Sequence, residues 1–203
     1  ALAQEMFSRI GTGWFCAGGM LAEGRLVAEL SQNMNFVMDL SVRDFLRMHA
    51  RSRQIAQEKA AMERTYRCAN ELAGEPFDWE TKVTQLSGGQ SRALMIADAA
   101  CISDSPIVLV DEIENAGIDR KKAVELLARR SKIVLISTHD PLLALEADRR
   151  LVIRGGGIVA VLERTPEEEA CLRQLSRMDE KMQEVRGRLR AGEWIETLEG
   201  EDE

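Results

Sequence analysis

An α/β fold, a mostly parallel sheet interrupted by a helical insertion, is what the sequence predicts. Two apolar, β-branched runs, at 107–110 and 133–137, are separated by a helical stretch at 119–130. Runs of this kind mark parallel strands covered on both faces and joined through a crossover helix. Ahead of them, 41–73 is charged and alanine-rich, with no strand pattern in it, and reads as the insertion. At 203 residues the chain is long enough to bury a proper core without disulfides.

The elements follow in order. Residues 1–10 have apolar side chains at helical spacing but no N-cap, like a helix entered halfway along. A glycine-rich stretch at 11–24 surrounds the short apolar run 14–17, and 26–30 is a strand candidate. Ser41, with Asp44 three residues on, is placed to cap one or two exposed helices that Gly74-Glu75-Pro76 stops. The charge on these helices suits a protein-binding surface or simply the solvated face of an amphipathic helix. Residues 89–101 read as a helix, 107–110 as a buried strand between Pro106 and Asp111, and 133–137 as a second buried strand. A short helix at 141–147, a glycine-linked strand pair at 151–153 and 158–162, a charged helix at 167–190 and an acidic tail at 200–203 complete the chain. There is no internal repeat.

Lys and Arg total 27 against 34 Asp and Glu, a formal charge of -7. That balance argues against a protein that coats nucleic acid, and no direct nucleic-acid partner is expected. Polyphosphate binding stays open, because backbone N–H groups can supply such a site. No apolar run approaches the length of a membrane span, and residues 1–25 lack the pattern of a signal peptide, so a cytoplasmic location is expected. Cys16, Cys68, Cys101 and Cys171 are scattered with no CxxC pair, which predicts free thiols.

Three constellations carry chemistry. Leu86-Ser87-Gly88-Gly89-Gln90 puts a hydroxyl and two glycines where a helix starts at about Gln90. The glycines allow close backbone approach, and the positive helix end faces any anion placed there. The same turn also suits a flexible loop before a helix. The strand at 107–110 ends in Asp111-Glu112, two carboxylates at the carboxyl end of a parallel strand, where α/β proteins place ligands. Asp111 can hold Mg²⁺ and Glu112 can position or deprotonate an attacking water. The second strand runs into Ser137-Thr138-His139-Asp140, and His139 is either structural or placed to reach a terminal phosphate. His49, inside the insertion, has no such context and reads as a surface residue.

Together these motifs resemble the nucleotide-binding domain of the ATP-binding cassette superfamily, over roughly residues 32–157. The resemblance implies a P-loop NTPase-like core with a helical subdomain. Residues 1–40 are then part of the core, 41–85 the helical subdomain, 86–165 the rest of the core, and 166–203 a C-terminal helix and tail. Gln32 matches the Q-loop glutamine, which in the family contacts Mg²⁺ and water. Leu86 to Gln90 match the family signature, Arg92 its common downstream arginine, and Ser87, Gly88, Gly89 and Gln90 are the implied contacts to ATP across a dimer. Asp111 matches the Walker B aspartate, Glu112 the catalytic glutamate, Asp119 the D-loop aspartate and His139 the switch histidine.

Two departures stand out. The stretch 112–119 lacks the usual proline and threonine and is one residue longer than the family pattern. No Gly-x-x-x-x-Gly-Lys-[Ser/Thr] occurs, and counting back from Gln32 puts that phosphate loop just before Ala1. The chain is therefore expected to start after the loop and to be inactive alone. The implied function is an ATP- and Mg²⁺-dependent ATPase module of a transporter. It acts as a head-to-tail dimer with a second such domain, homo- or heterodimeric, beside a membrane permease on the cytoplasmic face. A soluble, non-transport member of the superfamily, or a regulatory fragment without catalysis, is the alternative.

Overall fold

The computed structural model describes residues 26–31, 36–113, 118–129 and 132–195. The sequence expectations at 1–10, 14–17 and 200–203, at Gln32, and at Asn115 to Gly117 lie outside the described residues. The chain divides into two compact units, Ala1–Thr138 and His139–Glu203.

In the first unit, β1 (Val27–Leu30), β2 (Ile107–Asp111) and β3 (Ile133–Ser137) form a parallel sheet in the order β1-β2-β3. Val27 pairs with Ile107 and Leu30 with Val110, while Ile107 pairs with Ile133 and Asp111 with Ser137. The central strand buries Val108, Leu109 and Val110 completely. By contrast β3, predicted to be buried, is half-exposed along its length, and Ile133 is 60% exposed. Its position explains this: among the described residues it pairs with β2 alone.

The insertion forms two helices, α1 (Val42–Ser52) and α2 (Glu58–Leu72). Ser41 caps α1 as its sequence predicts, accepting a bond from the Asp44 amide. A 3₁₀ turn at Val83–Gln85 leads into α3 (Gly88–Cys101). Val42, Phe45, Leu46 and Ala50 of α1, and Met62 and Ala69 of α2, share one apolar cluster with Leu94 and Ala97 of α3. The helix that follows the signature is thus packed into the core of the insertion. Each fully buried leucine of this kind contributes about 2–5 kcal/mol, judged by what its truncation costs. The crossover helix α4 (Arg120–Ala128) buries Ala123 and Leu127.

Among the described residues Cys68, Cys101 and Cys171 are free thiols. Burial, together with the neighbouring Cys101, pushes the Cys68 thiol up to about 11.

The second unit contains α5 (Pro141–Glu146), the antiparallel hairpin of β4 (Arg149–Arg154) and β5 (Gly157–Glu163), and α6 (Pro166–Arg190). Asp140 caps α5 through the Leu142 and Leu143 amides. Thr165 and Glu168 form a reciprocal capping box at the start of α6, and Glu168 also pairs with Arg150 of β4. Among the described residues no helix is long and apolar enough to cross a membrane.

Candidate functional site

The signature turn is built by local chemistry. Ser87 is the N-cap of α3; its hydroxyl accepts from the Gln90 amide at 3.2 Å, and Gln90 Oε1 accepts from the Ser87 amide at 2.9 Å. This reciprocal box settles two of the four amides that a helix start leaves without intrahelical partners. Gly88 and Gly89 supply the other two. The Gln90 side-chain amide donates back to the carbonyl of Glu75 at 3.2 Å, tying the turn to the end of the insertion. Ser87 and Gly88 are exposed, and a Cβ placed on Gly88 would meet nothing within 4 Å. The turn is therefore fixed from behind and open in front, as an anion-binding helix end requires. The helix begins at Gly88, one or two residues before the predicted start, because the Ser87 cap sets it.

The carboxylates occupy the predicted place. Asp111 is the last residue of β2 and Glu112 follows it, so both stand at the carboxyl edge of the parallel sheet. Glu112 has φ +48°, in the left-handed region that a residue with a side chain rarely adopts. Such a conformation costs roughly 1–3 kcal/mol and persists only where the surroundings hold it. One hold is visible: the Glu112 amide donates to the Ser137 carbonyl at the end of β3, at 3.0 Å.

A second hold comes from Arg92, which is only 4% exposed. Its guanidinium donates to the carbonyl of Glu112 at 3.4 Å, to that of Ser31 just past β1 at 3.3 Å, and to that of Asp111. One planar fork thus joins three carbonyls from the ends of two neighbouring strands. Sequence reasoning placed Arg92 in the signature and gave it no contact. A signal was available: from Ala93 to Ala100 α3 is apolar on nearly every face, with Asp98 as its one charge. A charge on a helix buried all round needs a partner.

Asp98 makes the same point and corrects the reading of His49. That histidine is not a free surface residue: its Nδ1 lies 2.9 Å from Asp98 Oδ2, and its ring lies 4.1 Å from that of Phe45. It falls at helical spacing from Val42, Phe45 and Leu46, on the buried face of α1, which the sequence pattern already contained.

Asp119 caps α4 through the Lys122 amide at 3.1 Å, and its backbone amide bonds the Leu72 carbonyl at the end of α2. Burial opposes ionisation of Asp119, but the hydrogen bonds and charge of Lys122 prevail and hold its carboxyl below the usual range. The structure thus brings Asp111, Glu112, Arg92 and Ser31 together. His139 opens the second unit and is exposed there, and Gln32 lies outside the described residues.

Among the described residues no three metal-ligating side chains converge. The oxygen-only donors at the end of β2 fit Mg²⁺ as that ion is held beside nucleotides, where one or two carboxylates suffice and phosphates complete the shell.

No family model matches the chain. It is 52% identical over 169 residues, 83% of its own length, to the uncharacterized ABC transporter ATP-binding protein MJ0121 of Methanocaldococcus jannaschii. The chain belongs to the ATP-binding cassette ATPases. It spans 64% of that relative's length, a little under two thirds. The cassette is also 37% identical over 87 residues, 40% of its length, to the macrolide export ATP-binding/permease protein MacB of Hahella chejuensis, of which it covers 13%. In fold it is similar to the ATP-binding cassette MJ0796, solved as a dimer after hydrolysis with ADP and phosphate bound. The TM-score is 0.54 at 21% identity, covering 68% of this chain and 63% of that one. The P-loop NTPase-like core with a helical insertion is therefore the fold of this cassette.

Proposed function

We propose that this cassette binds and hydrolyses ATP as the motor of a membrane transporter, completing its site by head-to-tail pairing with a second cassette. The observation that carries the reading is the end of β2, where Asp111 is followed by a glutamate held in a strained conformation. Strain of this kind gathers where a side chain must be aimed for chemistry. Support for pairing comes from the signature turn, which is anchored by its own capping box and leaves Ser87 and Gly88 exposed, with open space beside Gly88. Support for transport comes from the names of the relatives, one of which is an export ATP-binding/permease protein.

In this reading Asp111 holds Mg²⁺, which when bound neutralises charge on the phosphate oxygens. Glu112 accepts a proton from the attacking water as its oxygen bonds to the γ-phosphorus and the bond to the ADP oxygen breaks. Gln32 and His139 keep the family assignments, contact to the metal and water for the first and to the γ-phosphate for the second. Ser87, Gly88 and Gly89 of the second cassette bind the same γ-phosphate through helix-end amides and the hydroxyl. Asp119, already fixed as a cap, offers a carboxylate near the paired surfaces. Turnover is measured on the full-length protein that carries this cassette.

Glu112→Gln tests the assignment. It keeps the shape of the side chain and removes the proton acceptor, so turnover falls by about 10²–10⁴-fold while ATP affinity stays within twofold. Turnover equal to that of the unsubstituted protein would remove Glu112 from the chemistry and the reading with it.

A further inference from the structure

The left-handed backbone of Glu112 and the guanidinium of Arg92 meet at one carbonyl. We infer that Arg92 is a positioning residue, which holds Glu112 in its left-handed conformation and thereby sets where its carboxylate stands. The inference rests on the function proposed above for Glu112, and it assigns to α3 a role in its own chain's carboxylates that is separate from the signature turn.

A residue with a Cβ leaves the left-handed region when nothing prevents it, because the Cβ crowds the following carbonyl. To relax, Glu112 must rotate the peptide planes on either side of it. The plane before it carries the Asp111 carbonyl and the Glu112 amide; the plane after it carries the Glu112 carbonyl. Arg92 grips both carbonyls, and the Ser137 carbonyl receives the amide. Each plane is therefore pinned by a partner on another element, and relaxation would break at least one bond to a buried cation.

The third contact, to the Ser31 carbonyl, fixes the guanidinium itself. It bonds the chain just past β1 while the other two bonds reach the end of β2, so the fork cannot swing towards one strand without leaving the other. Leu94, Ile96 and Ala97 on the same helix are fully buried, which anchors the Arg92 backbone as well. Only arginine suits this place. A lysine ammonium is a single point and cannot present separate N–H groups, in one plane, to three carbonyls on two strands.

The test compares Arg92→Lys with the unsubstituted full-length protein. Lysine keeps the charge on a buried helix, and a thermal unfolding midpoint verifies that the fold survives. The expected result is a loss of about 10²-fold in kcat, the scale on which a small misplacement of a reacting group acts, with KM for ATP within twofold. A merely structural role would move stability and leave kcat per folded molecule alone. For Arg92→Ala, added methylguanidinium restores part of kcat, and no such rescue occurs for Glu112→Gln.

A crystal structure of Arg92→Lys provides a readout independent of turnover: Glu112 moves to negative φ. Retention of φ near +48° overturns the inference. If the unsubstituted protein does not hydrolyse ATP, the proposed function fails, and the Glu112 conformation still decides the place of Arg92. If it hydrolyses ATP and Arg92→Lys does so at the full rate, the role of Arg92 alone is wrong.

Discussion

The beginning of α3 and the end of β2, the two places to which the proposed function gives phosphate chemistry, are held in opposite ways. At the start of α3, Ser87 and Gln90 satisfy each other across three residues, and nothing distant is needed to shape the turn. At the end of β2, Glu112 is in an unfavourable conformation, and two of its partners, Ser137 and Arg92, are each at least 20 residues away. The first site presents backbone amides, whose positions any helix start defines. In the proposed function the second must aim a flexible carboxylate, which gives the strain there a purpose. Difference in task accounts for difference in construction.

Substitutions separate the two. Glu112→Gly has the largest effect: turnover is lost to at least the extent of Glu112→Gln, yet the protein becomes more stable. Relief of the left-handed strain is worth about 1–2 kcal/mol, against roughly 0.4–1 kcal/mol for the freer glycine backbone in the unfolded chain. The net gain of about 0.5–1 kcal/mol is read from urea unfolding; a loss of stability would show that Glu112 is not strained. Ser87→Ala works in the opposite direction, with a loss of about 1 kcal/mol from the missing cap. Because Gln90 acts through the same box, Ser87→Ala and Gln90→Ala together cost less than the sum of the two. Full additivity in that double-mutant cycle would contradict the reciprocal cap.

The same contrast explains what the sequence made legible. Ser41 and Asp111 could be placed because capping and strand ends are written within a few residues. The parallel order of β2 and β3 followed from two apolar runs around a helix. The conformation of Glu112 could not be read, since it depends on a carbonyl in β3 and a guanidinium in α3. His49 was misread for a related reason: its partner, Asp98, lies on another helix, although its spacing from Phe45 and Leu46 already put it on the buried face. The exposure of β3 likewise depends on its neighbours in the sheet, which its own composition does not reveal.

The central claim is that two cassettes share ATP between the signature turn of one and the carboxylates of the other. The most direct measurement is the molar mass of the full-length protein bearing Glu112→Gln, by light scattering with and without ATP and Mg²⁺. The account predicts that the mass doubles when ATP is added and that introducing Ser87→Arg into the same protein abolishes the doubling. An ATP-bound protein that remains at the mass of one chain, or a dimer indifferent to Ser87→Arg, would contradict it.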